Sequence, residues 1–144
     1  MPTRSENARH ELMRHVYEDI WIGELWNQGE PAGGRVLAEH FFDHRPIDAF
    51  PNTKSGHISM ALDWHQAFPD YKFVIEDVII EGDKIVARYN SSGTHLGVLS
   101  GVPGTGRRVS LTGIDIMRFE GDLLAEWWHN EDMYDLMRQL TGTA

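Results

Sequence analysis

Apolar positions follow a helical period over the first half of the chain and a period of two over the second. Leu12, Met13, Val16, Tyr17, Ile20, Leu25 and Trp26 recur mainly at steps of three and four, which predicts a helix with one apolar face. Thr3 and Glu6 stand at capping-box spacing at its start, and Asn27-Gln28-Gly29-Glu30-Pro31 ends it. A shorter helix is predicted around Arg35 to Phe42, stopping at His44-Arg45-Pro46. A third starts after Thr53 or Ser55, carries Ile58, Ala61, Leu62 and Phe68 on one side, and closes at Pro69-Asp70. Val16, Ile20, Ile58 and Leu62 are the expected core of this helical layer.

From Tyr71 the alternation predicts strands. Tyr71 to Ile80 and Ile85 to His95 flank a turn at Glu81-Gly82-Asp83-Lys84. A glycine-rich loop over Leu96 to Gly106 follows. Two more strands lie between Arg107 and Asp132 around Glu120-Gly121-Asp122, and Asp132 to Leu140 reads as a closing helix. Three helices followed by four antiparallel strands, without βαβ alternation, indicate an α+β layer fold. No repeat, linker or low-complexity tract divides residues 1–144, so one domain is expected.

Composition narrows the function. A net charge of −9 argues against a nucleic-acid partner, whose phosphates call for a basic face. With no cysteine there is no disulfide framework, thiol nucleophile or thiolate metal site. No window approaches an apolar span of roughly 20 residues and the first residues are polar, so no membrane association and a cytoplasmic location are expected.

Two residues interrupt the apolar pattern where chemistry would use them. Asp115 sits between Ile114 and Ile116, where an apolar setting lifts a carboxyl toward the range of a useful base. The structural alternative is a buried carboxylate paired to an arginine, and Arg88, mid-strand in Ile-Val-Ala-Arg-Tyr-Asn, is available for it. Arg88 is equally a candidate to hold an enolate or carboxylate oxygen. His129, after Trp127-Trp128, titrates near neutral pH and suits acid/base work; alternatively Asn130 or Asp132 satisfies it at a strand end. His95 is a candidate for the rim of a pocket, or a solvated loop histidine. Tyr17, Trp26, Trp64 and Trp128 suit an aromatic lining for a small apolar or aromatic ligand, though each alone suits a core equally.

Two other features carry less. His40 and His44 have helical metal-ligand spacing but no acidic third ligand placed to suit them, so neither a metal nor any other cofactor is expected. Gly101 to Arg107 has the glycines of a phosphate loop without its Lys-Ser/Thr ending or a following helix. It is expected to be a flexible loop able to lie over a pocket.

A set of short phrases recurs here in a family-like order. Leu25-Trp26-Asn27-Gln28-Gly29 and Ala67-Phe68-Pro69-Asp70 end the first and third helices. Gly82-Asp83-Lys84-Ile85-Val86-Ala87-Arg88 leads to Gly93-Thr94-His95-Leu96-Gly97, then Thr105-Gly106-Arg107, Gly113-Ile114-Asp115, Arg118-Phe119, Glu126-Trp127-Trp128 and Gln139-Leu140. In this order and spacing the chain resembles the SnoaL-like polyketide cyclases over nearly its whole length. The resemblance implies the cone-shaped fold of the nuclear transport factor two superfamily, a bent antiparallel sheet around three N-terminal helices and one deep pocket. It also implies a homodimer and an intramolecular aldol condensation without metal or organic cofactor. The family's acid/base residue is an aspartate directly after the tryptophan of the last strand, and this chain has His129 there.

Asp115 and His129 can cooperate only on one face, and hairpin register decides that. A three-residue loop sets Gly113 opposite His129 and Asp115 opposite Trp127 on a shared face, whereas a two-residue loop separates the pair. The family's use of both positions favours the first. The expected function is a cofactorless cyclase or isomerase acting on a polyketide-like carbonyl compound, with Asp115 and His129 exchanging protons. Water activation for epoxide opening or dehydration, or a non-catalytic ligand-binding dimer, are the alternatives.

Overall fold

A computed structural model describes residue 1 and residues 3–22, 33–44 and 50–142. Helix α1 spans Arg4–His15, and its capping box is formed: the Thr3 hydroxyl accepts from Glu6 N while the Glu6 carboxylate accepts from Thr3 N. The same segment continues as a π-helix over Val16–Ile22. Met13, Val16, Tyr17, Ile20 and Trp21 are all buried, so the apolar stripe of the sequence is the face that meets the sheet. Trp26 and Leu25 lie outside the described residues.

The second expected helix is corrected. Helix α2 spans only Gly33–Val36, and Leu37–Asp43 is strand β1. Leu37, Phe41 and Asp43 are buried, and Leu37, Phe42 and Asp43 pair with β5, a long-range contact that a local helical pattern does not reveal. Helix α3 (Lys54–Ala67) is capped by Thr53, whose hydroxyl accepts from Gly56 N at 3.2 Å. It buries Met60, Ala61 and Trp64; Ile58 is half-buried, and Leu62, expected in the core, is exposed.

Strands β2 (Lys72–Glu81), β3 (Lys84–Thr94), β4 (Arg108–Glu120) and β5 (Leu123–Glu131) form an antiparallel meander, and α4 (Met133–Thr141) closes the chain. The sheet order is β1-β5-β4-β3-β2, with β1 parallel to β5, so the expected four-stranded antiparallel sheet is a five-stranded mixed one. The curved sheet buries Ile85, Ala87, Tyr89, Leu111, Met117 and Trp127 against the helices, giving the α+β cone. Gly82 and Gly121 take positive φ in the two hairpin turns, which lets each turn close in two residues.

Candidate active site

The centre of the site is set by one irregularity in the β4–β5 hairpin. Its turn is only two residues long, Glu120 pairing with Leu123, and a regular ladder from there would put Asp115 and His129 on opposite faces. A bulge intervenes. Arg118 pairs with Glu126 while Phe119 pairs with Leu124, so Ala125 is the extra residue and the register moves by one. Asp115 then stands directly opposite His129, two residues on from the expected partner Trp127, and both face the helices.

The buried Asp115 carboxylate is held from two sides. The Tyr17 hydroxyl donates to Oδ2 at 2.6 Å, and His129 Nδ1 bonds Oδ1. On its other edge His129 Nε2 is 2.6 Å from Glu131 Oε1, and the Tyr89 hydroxyl donates to Glu131 Oε2 at 3.3 Å. Burial opposes charging of His129, but Asp115 and Glu131 together outweigh it and push its pKa up to about 10. The group is therefore an imidazolium at neutral pH. Burial first, and then the Asp115 charge, raise the Tyr17 pKa, so Tyr17 stays a protonated donor.

These groups line a small cavity of about 10 Å³, room for about one water molecule, with Trp21, Trp64, Tyr71, Phe73 and Trp127. Its volume lies far below the ~300–1,000 Å³ common for drug-sized ligands, so the aromatic rings around it must part to admit a substrate. The ring of Trp127 packs 4.6 Å from His129 and 4.4 Å from His57. His57 belongs to a second buried pair, its Nδ1 3.3 Å from Asp43 Oδ2. Burial lowers the His57 pKa in spite of Asp43, so this imidazole is neutral.

Residues 11–140 match the sequence profile of the SnoaL-like polyketide cyclase family. The chain belongs to that family. TsrD from Streptomyces laurentii is 30% identical, with a TM-score of 0.77 over 97% of this chain and 98% of that one. A protein from Jannaschia sp. CCS1 assigned to the SnoaL-like polyketide cyclases has a TM-score of 0.82 at 18% identity, covering 100% and 99% of the two chains. IdmH from Streptomyces antibioticus, assigned as a polyketide cyclase, has a TM-score of 0.75 at 24% identity, covering 92% and 97%. No curated protein matches the chain.

In this SnoaL-like chain Tyr17 and Trp64 join Asp115 and His129 at the cavity, but three other expected residues do not. Arg88 pairs across the ladder with Ile114, so it points from the outer face and binds Glu76 at 3.0 Å; it does not reach Asp115. Trp128, one residue out of phase with Trp127, stacks on His44 at 4.4 Å on that same outer face. His95 is fully buried beside Phe68, its Nδ1 accepting from Thr105 N at 3.2 Å, and is not among the residues that line the Asp115–His129 cavity. The glycine-rich loop after it is pinned to the end of α3, Leu96 N and Gly97 N both donating to Ala67 O, instead of covering the site. His40 and His44 hold Glu120 and Glu126 at 2.7 and 2.6 Å. No set of three or more metal-ligating side chains converges among the described residues.

Glu131 and Tyr89 are the residues that sequence reasoning missed. The usable signal was alternation: Trp127, His129 and Glu131 are spaced by two, so a strand that points His129 inward points Glu131 inward too. Asn130 and Asp132, weighed as His129 partners, are out of phase with it.

Proposed function

We propose that this protein is an acid/base catalyst of the cyclase or isomerase kind, acting at a carbon activated by a carbonyl in a small apolar, polyketide-like compound. The observation that carries this reading is the ionic pair of Asp115 and His129, buried on the wall of an aromatic cavity with the Tyr17 hydroxyl beside it. The two residues divide the work by charge. Asp115 is the acceptor that removes the proton from carbon, the C–H electron pair passing to the carbonyl oxygen as an enolate forms. Tyr17, whose hydroxyl can turn once Asp115 is protonated, is the donor to that oxygen. The His129 imidazolium, its two N–H groups held by Asp115 and Glu131, stabilises the charge through space, the role first expected of Arg88. Forward attack of the enolate on a second carbonyl gives the aldol step of a cyclase; return of the proton at another carbon gives an isomerase.

The test is a rate comparison on a panel of polyketide-like ketones and esters. Asp115→Asn and His129→Ala should each cost roughly 100- to 10,000-fold in turnover. The double variant should cost little more than either alone, because the pair acts as a unit. Normal turnover in folded His129→Ala would remove it from the mechanism.

One observation favours a second reading. Trp21, Trp64 and Trp127 crowd the cavity to about 10 Å³, a pocket filled by its own side chains, which favours a non-catalytic binding or dimerisation module. Tight binding of panel members without turnover would select it. In either case we propose a homodimer, because the outer sheet face exposes Val74, Ile79, Ile114 and Ile116.

A further inference from the structure

The His129 ring is gripped at both nitrogens, and its partner at Nε2 belongs to a separate structural arm of the site. Glu131 lies on the same strand face two residues on, its Oε1 2.6 Å from Nε2. Glu131 is held in turn. Tyr89, from β3, donates to Oε2, and its ring is wedged by Phe73 at 5.0 Å and Tyr17 at 6.0 Å. The hydroxyl reaches Glu131 only because the intervening β4 position is Gly113. A Cβ built there would lie 2.3 Å from Tyr89 Oη and 2.4 Å from Cζ. Gly113 sits opposite both Tyr89 and Glu131 in the ladder, so one missing side chain makes room for the whole arm.

We propose that Glu131 is a positioning residue for the acid/base pair, fixing the His129 ring from the side opposite Asp115 so that both ring nitrogens are held as donors. This rests on the acid/base reading of the site. An imidazole with one carboxylate partner can turn about its Cβ–Cγ bond or lose its second proton; one clamped at both edges keeps its orientation and its charge. The titratable groups around the ring are Asp115 on β4, Tyr17 on the π-helix, Tyr71, Tyr89 on β3, and His57 on α3 across Trp127. Burial raises the pKa of all three tyrosines and lowers that of His57, so these four are neutral at pH 7. Glu131 therefore supplies the second negative charge of the clamp. It also borders a larger outer groove of about 330 Å³ with Arg88, Thr112 and Asn130, where Gly113 thins the sheet.

The decisive measurement is an imidazole titration by NMR on the whole protein labelled with ¹⁵N-histidine, which needs no substrate. In the native protein the His129 ring should stay doubly protonated through pH 9. In Glu131→Gln its midpoint should fall by roughly 1–3 units, the effect of removing one close opposite charge, while Asp115 stays in place. Wherever a panel substrate is turned over, kcat should fall with KM nearly constant, and the alkaline limb of the rate should move with the NMR midpoint. Should Glu131→Gln fail to fold, Glu131→Asp shortens the reach by one methylene and should shift the midpoint in the same direction by less. An unchanged midpoint in whichever variant folds overturns the proposal. The acid/base reading fails separately, through normal turnover in His129→Ala with the midpoint shift still present in Glu131→Gln.

Discussion

Raising the pH from 6.5 to 9.5 should unfold this protein more easily, and His129 should account for most of the change. In the unfolded chain its imidazole loses its proton near 6.5; in the folded protein it holds that proton up to about 10. Between those values the native state carries one more proton than the unfolded state, so stability falls by about 1.4 kcal/mol per pH unit. Over three units that amounts to about 4 kcal/mol, a large part of the ~5–15 kcal/mol that holds a typical domain together. The contribution is fully present below pH 6.5 and disappears as pH rises through the folded value. Tyr17, Tyr71 and Tyr89 are also raised, and add their own loss as unfolded tyrosines begin to ionise near pH 10. The assay is urea denaturation at half-unit steps from pH 6 to 9.5, on the native protein and on His129→Gln. The tyrosine contribution is common to both, so the difference between the curves isolates the imidazolium. The native curve should slope downward from pH 7 to 9 and the variant curve should be close to flat. Parallel curves over that interval would refute the two-carboxylate clamp.

Three further outcomes follow from the same structure. Because Arg88 and Ile114 share the outer face, Arg88→Ala should leave turnover within about twofold, while Ile114→Glu, which charges the proposed dimer surface, should shift sedimentation toward the monomer. Asp43→Ala leaves the buried His57 Nδ1 without its carboxylate and should cost roughly 1–3 kcal/mol in thermal or urea unfolding.

Much of the architecture was legible along the chain because it is local. The Thr3–Glu6 box, the Thr53 cap, the apolar stripe from Met13 to Ile20 and the two glycine turns depend on residues a few positions apart. Asp115 and His129 were also visible, since an ionisable group in an apolar alternation stands out wherever the strand is placed. Strand β1 was not legible: Leu37–Asp43 has a helix-compatible pattern and becomes a strand by pairing with β5, more than eighty residues away. Arg88 was misplaced because alternation says that neighbours point apart, not which of them points inward; the ladder partners Ala87–Asp115 and Arg88–Ile114 decide that. The site itself turns on Ala125. A two-residue turn alone would send His129 to the outer face, and the bulge returns it to Asp115. Sequence thus determined which side chains could do chemistry. Tertiary structure decided which of them meet, because side-chain direction in a sheet reverses with every single-residue step of register.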